Sequence, residues 1–142
     1  KRMLDIEARY MVTEQAAVTT ILVIDDDAEI VKLITRQLTN EGYAVIGVTT
    51  LSNAINLVDG EDPFDLLLTD YQLRADWTGV DLIKHAKQRR PNLPAILISG
   101  VEPDNIYDQE FWDSTLFLRK PLKHRVVVGA VLQQLSKTCG AD

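Results

Sequence analysis

From Thr20 onward the chain alternates between two patterns of hydrophobic positions. Runs of strand length that are apolar nearly throughout occur at ILVI (21–24), AVIGV (44–48), FDLLL (64–68), AILI (95–98) and TLFL (115–118), each followed by polar residues or by Gly and Pro. Helical patterns lie between them. Ile30, Ile34 and Leu38 recur every four residues behind Asp25-Asp26-Asp27, whose last member is placed to cap the helix, and Asn40-Glu41-Gly42 ends it. Ser52 is read as the cap of a second helix running through Val58. Val80, Ile83 and Ala86 mark one face of a third over Gly79–Arg89, and Pro121 opens a last helix to about Lys137. The segment PDNIYDQEFWDS, between Pro103 and Ser114, carries the weakest helical pattern and predicts a short or displaced helix.

Strand patterns alternating with helix patterns make a βα repeat, and strands apolar on both faces belong in a sheet covered on both sides. The expectation is an α/β fold: a doubly wound, three-layer parallel sheet of five strands. Right-handed crossovers then gather the C-terminal ends of the strands along one edge, where open α/β sheets bind ligands. The polar residues behind the strands converge on that edge. Asp25, Asp26 and Asp27 follow the first strand, Asp70 the third, Ser99 the fourth and Lys120 the fifth.

Composition narrows the classes. A chain of 142 residues, 46% hydrophobic and 25% charged, is one domain's length with enough apolar mass for a core. A formal net charge of −6 and the lack of any basic tract argue against nucleic acid or an anionic membrane as partner. No apolar run approaches the roughly 20 residues that cross a bilayer. The single cysteine, Cys139, has no partner for a disulfide or a thiolate metal site, and a reducing cytoplasm is the expected setting.

Each converging residue has an ordinary use: Asp27 as a cap, Asp70 as a turn, Ser99 in a loop, Lys120 as a solvated charge. Together they make a chemical set. Neighbouring carboxylates repel, so several at one site either raise a pKa or recruit a hard cation such as Mg²⁺. Beside that cation Asp70 can act as a carboxylate nucleophile toward a phosphoryl group, with Lys120 and Ser99 meeting the phosphoryl oxygens.

The segments ILVIDDDAEI, FDLLLTDYQL, AILISG and LFLRKP, in that order, resemble the signature segments of the receiver domain of two-component response regulators. The likeness covers residues 20–138, leaving 1–19 as a leader or linker and 139–142 as a tail. It implies a flavodoxin-like sheet of order 2-1-3-4-5. Residue by residue, it implies that Asp25 and Asp26 hold Mg²⁺, that Asp70 is the phosphoacceptor and that the backbone carbonyl of Gln72 completes the metal site. Ser99 stands at the switch hydroxyl, Gly100 at the small residue beside the site, Lys120 at the lysine before a cis Pro121, and Phe117 at the aromatic switch. The implied donor is a histidine kinase or histidine phosphotransfer protein. The implied output surface is the fourth helix, fifth strand and fifth helix, to which Tyr107, Phe111 and Trp112 are candidate contributors.

Three departures from the family pattern stand out. Arg74 occupies the acceptor loop where a Pro is common, and DYQLRADWTG is one residue longer before Gly79, a form similar to receivers attached to hybrid sensor histidine kinases. The stretch from Gly100 to Phe117 lacks the usual Ala-Gly-rich ending. Residues 1–19 have no counterpart, and Met3, Ile6 and Tyr10 at helical spacing fit a linker helix, a partner-binding arm or a partly ordered leader. Only residues 138–142 follow the predicted last helix, so the expected action is through protein contacts or through a domain outside this chain. Two rivals remain at this point. A haloacid dehalogenase-like phosphatase would use Asp25 as nucleophile within Asp25-Asp26-Asp27, but Glu29 departs from its motif and no later acidic pair is found. A degenerate receiver acting only as a binding module would be favoured by loss of the acceptor or lysine, and both are present. His85 and His124 are read as solvated residues rather than ligands or phosphodonors.

Overall fold

The computed structural model describes residues 18–103 and 108–140; most of the leader (1–17) and Tyr107 lie outside the described residues. The order is β1 (Thr20–Ile24), α1 (Ala28–Thr39), β2 (Ala44–Val48), α2 (Leu51–Asp59), β3 (Leu66–Asp70), α3 (Gly79–Arg89), β4 (Ala95–Ser99), α4 (Gln109–Asp113), β5 (Thr115–Arg119) and α5 (His124–Gly140). All strand pairings are parallel, and the sheet order is β2-β1-β3-β4-β5. This is the flavodoxin-like arrangement that the resemblance implies.

The period-two alternation of strand side chains divides the core into two layers. Leu22, Ile24, Leu67, Ala95 and Leu97 pack with residues of α2, α3 and α4. Ile21, Val23, Leu66, Leu68, Ile96 and Ile98 pack on the other face against α1 and α5. Every residue of β3 and β4 is buried, which explains why these strands read as unbroken apolar runs.

Several predicted boundaries shift. β3 begins two residues later than FDLLL and runs on through Thr69 to Asp70, which stays in the ladder opposite Ile98. The acceptor candidate is thus the last residue of the strand rather than the first of the loop. Thr50, not Ser52, caps α2: its hydroxyl accepts the Asn53 N–H, and Ser52 lies inside the helix. Pro121 does not open α5. The Lys120–Pro121 peptide is cis, a turn follows, and the helix begins at His124 and continues beyond Lys137 to Gly140. Asp27 caps α1 as predicted, accepting the Glu29 N–H at 2.9 Å. The weak pattern after Pro103 yields only the five-residue α4.

One glycine is required by contact. Gly79 opens α3 against the end of β3, with its N–H donating to the Tyr71 carbonyl at 2.8 Å. A Cβ there would lie 2.2 Å from the Asp70 carbonyl oxygen and 3.0 Å from a Leu97 methyl. Backbone, not a pliable side chain, would have to move. Gly79→Ala is therefore expected to destabilise the domain by about 1–3 kcal/mol, the range for overpacking a tight contact. Urea unfolding checks this, and an unchanged midpoint would show that the contact is not tight.

Candidate functional site

The sheet ends in register steps that bring the site together. β1 leaves the ladder after Ile24, opposite Thr69, so Asp25 and Asp26 emerge beside Asp70. On the other side the Tyr71 N–H donates to the Ile98 carbonyl at 2.7 Å, and the Lys120 N–H to the Ser99 carbonyl at 2.9 Å. These bonds carry the strand order past the strand ends and hold the loops in a row.

Three carboxylates meet there. One oxygen each from Asp25, Asp26 and Asp70 lies within 4.8 Å of the others; Asp25 and Asp70 are buried and Asp26 is half-buried. The Lys120 ammonium stands 3.1 Å from Asp70 Oδ1 and 3.5 Å from Asp25 Oδ2. Asp25 Oδ1 also accepts the Asp27 N–H at 2.9 Å, tying the acidic segment to the start of α1. Ser99 is buried at the end of β4, where its hydroxyl accepts the Val101 N–H at 3.1 Å. Phe117 is half-buried and packs on the α2–α3 side of the sheet, opposite Leu97 in the β4–β5 ladder. Gln72 is exposed in the loop behind Asp70.

Burial sets the electrostatics. Desolvation lifts the Asp25 carboxyl to about 6, despite the Asp27 N–H and the Lys120 charge, and the negative charges of Asp70 and Asp26 push the same way. Desolvation also raises Asp70 above the ordinary carboxylate range, and the hydrogen bond and charge of Lys120 only partly oppose it. Burial works against the charge on Lys120, but Asp70 and Asp25 outweigh it and hold that ammonium above its ordinary value. One ammonium thus faces two reluctant carboxylates. The donor set is all oxygen and short of positive charge, which fits a hard divalent cation such as Mg²⁺.

Other residues of interest fall elsewhere. His85 pairs with Asp59 at 2.7 Å and lies against the Trp77 ring, joining α3 to α2, and His124 lies 3.7 Å from Glu41. Both are partnered rather than simply solvated, and neither belongs to the acidic cluster. Phe111 is buried and stacks edge-on with Trp112, so it belongs to the core and not to an exposed patch. The residue that the sequence reading left without a site role is Arg74, whose Nε lies 2.9 Å from Asp26 Oδ2. The available signal was its departure from the usual Pro, four residues after Asp70.

The matching family model is the response regulator receiver domain, over residues 21–132. The chain belongs to this family. It is 32% identical over 113 residues to the transcriptional regulatory protein CpxR of Escherichia coli K12, covering 78% of this chain and 47% of that protein. It therefore spans about half the length of the curated relatives it matches. A response regulator receiver protein from Sinorhizobium medicae WSM419 superposes with a TM-score of 0.75 at 25% identity, covering 87% of this chain and 98% of that one. A CheY-like receiver domain from Methanospirillum hungatei JF-1 superposes with a TM-score of 0.77 at 24% identity, covering 89% and 100%. The protein is a phosphoacceptor receiver domain of two-component signalling, and the phosphatase reading built on Asp25 finds no support. Among the described residues no helix is long and apolar enough to cross a membrane.

The raised Asp25 pKa gives a signed expectation. The fold favours the neutral carboxyl, so the contribution of Asp25 to stability is full below about pH 4 and is lost as pH rises through about 6. Asp25→Asn keeps an oxygen for the Asp27 N–H and removes the charge. Two pKa units correspond to ~3 kcal/mol, reduced by solvent screening and by the partner Lys120 loses, so a gain of about 1–2 kcal/mol is expected at pH 7.5. The gain should shrink to nothing near pH 4. Urea unfolding of both proteins without divalent metal checks it, and a wild type more stable than the variant at pH 7.5 would contradict the burial argument.

Proposed function

We propose that Asp70 is the phosphoacceptor, that Asp25, Asp26, Asp70 and the Gln72 carbonyl hold Mg²⁺, and that Ser99 and Lys120 receive the phosphoryl oxygens. The observation that carries this reading is the Lys120 ammonium 3.1 Å from Asp70 within a cluster of three carboxylates. In the transfer an Asp70 carboxylate oxygen attacks phosphorus, the bond from phosphorus to the donor nitrogen breaks, and the departing imidazole takes up a proton. Lys120 already lies beside the attacking carboxylate and meets the negative charge carried by the phosphoryl oxygens. Bound Mg²⁺ supplies further neutralisation of that charge. The same site supports transfer from a small acyl phosphate and hydrolysis of its own aspartyl phosphate.

The donor in this reading is a histidine kinase or histidine phosphotransfer protein acting in the cytoplasm. An apolar depression formed by Ile30, Leu33, Pro121 and Leu122 adjoins Lys120, and Leu33 is exposed; such a surface suits a partner that must bring a phosphohistidine to the rim. The long acceptor loop keeps a place within a hybrid histidine kinase among the settings proposed. Output is assigned to the face of α4, β5 and α5. Phosphorylation brings about two negative charges to the rim, the Ser99 hydroxyl exchanges the Val101 N–H for a phosphoryl oxygen, and Phe117 turns into the space vacated. Trp112 is half-buried on that face.

Two measurements follow. Incubation with acetyl phosphate and Mg²⁺ is expected to add one phosphoryl mass to the intact protein, with Asp70→Asn abolishing it and Asp25→Asn not relocating it; an increment that survives Asp70→Asn contradicts the assignment. Ser99→Ala is expected to accept the phosphoryl group yet to switch poorly, because a ligand shifts an equilibrium only through its differential contacts with the two states. Hydrogen exchange with and without beryllofluoride reads this. Protection changes between Gly100 and Val126 should appear in wild type and shrink in Ser99→Ala, and their absence in wild type would remove the output face from the account.

A further inference from the structure

Arg74 is the one cation besides Lys120 that the described structure pairs with a carboxylate of the site, and it is bound differently. Lys120 approaches Asp70 and Asp25 from the end of β5, whereas the Arg74 Nε takes Asp26 Oδ2 at 2.9 Å from the loop that follows Asp70. Arg74 is also the described non-glycine residue with positive φ, at 52°, in the left-handed region that side chains with a Cβ occupy at a cost. The loop thus carries a strained residue whose side chain ends on a metal-ligand candidate. The guanidinium is 87% exposed and Asp26 only 20%, so Arg74 can leave into water while the carboxylate stays in place.

From this geometry we infer that Arg74 is an electrostatic latch on the metal site: its guanidinium occupies Asp26 in the resting domain, and Mg²⁺ must displace it. The inference rests on the reading of Asp25, Asp26 and Asp70 as the metal site. An ion pair at 2.9 Å neutralises part of the Asp26 charge and places a cation where a metal would approach, and the added positive charge at the rim opposes a dication. Without the latch the site is more acidic and Asp26 is free to ligate. Arg74 is then a positioning residue that sets the metal concentration at which the domain becomes competent, and metal binding frees its guanidinium from Asp26.

The test is calorimetric titration of MgCl₂ at low ionic strength into wild type, Arg74→Gly, Asp26→Asn and the double variant. Glycine tolerates the positive φ, so Arg74→Gly removes the guanidinium while sparing the loop. An exposed pair of this kind is worth little, so Arg74→Gly should tighten Mg²⁺ by roughly two- to fivefold, with the difference falling as KCl is added. In the Asp26→Asn background the same substitution should change nothing. Equal or weaker Mg²⁺ binding by Arg74→Gly overturns the latch while leaving the metal site standing, and so does a tightening that persists undiminished in Asp26→Asn, which would reflect charge at a distance. Absence of saturable Mg²⁺ binding in all four proteins overturns the metal reading and the latch with it.

Discussion

Three carboxylates crowded within 4.8 Å at the mouth of a dry sheet, faced by one lysine, are the constraint on which the rest of this molecule depends. Burial and mutual repulsion raise Asp25 and Asp70, and Lys120 compensates only in part. Such a site stores a deficit of positive charge that a divalent cation relieves. In the proposed function that deficit lies where Asp70 would meet a phosphoryl group, whose oxygens would face Lys120 and the metal. The same deficit explains why a loop cation, Arg74, is drawn onto Asp26.

The scaffold exists to keep that crowding from relaxing. β1 and β3 are central and fully covered, so the ends that carry Asp25 and Asp70 cannot splay without exposing Ile24, Leu67 and Leu68. Gly79 lets α3 begin against the Asp70 carbonyl, holding the end of β3 in place. β4 lies between β3 and β5, and its last residue is Ser99. From Asp70, paired with Ile98, the sheet runs through β4 to β5, where Phe117 stands opposite Leu97 and is half-buried. In the proposed switch a change at Asp70 would reach Phe117 in that order.

Much of this could be read from residues in order, for identifiable reasons. Strands buried on both faces leave unbroken apolar runs, and the βα alternation alone puts Asp25, Asp26, Asp70, Ser99 and Lys120 on one rim. What was misread lay where local signals compete. Thr50 and Ser52 offer equivalent caps, and only the extended backbone at Thr50 decides between them. Asp70 looks like a loop residue because it is polar, yet pairing with β4 keeps it in the strand. Phe111 in a polar stretch resembled a surface aromatic until α4 turned it inward. The Arg74–Asp26 pair joins residues far apart in the chain through a left-handed backbone that no residue pattern announces.

The most direct test of the central claim is a crystal structure of the domain with Mg²⁺ and beryllofluoride. The account predicts the fluoride adduct on an Asp70 carboxylate oxygen, the metal held by Asp25 and Asp26 beside it, and the Lys120 ammonium on a fluorine. An adduct on Asp25, or a metal held away from these three carboxylates, would contradict it.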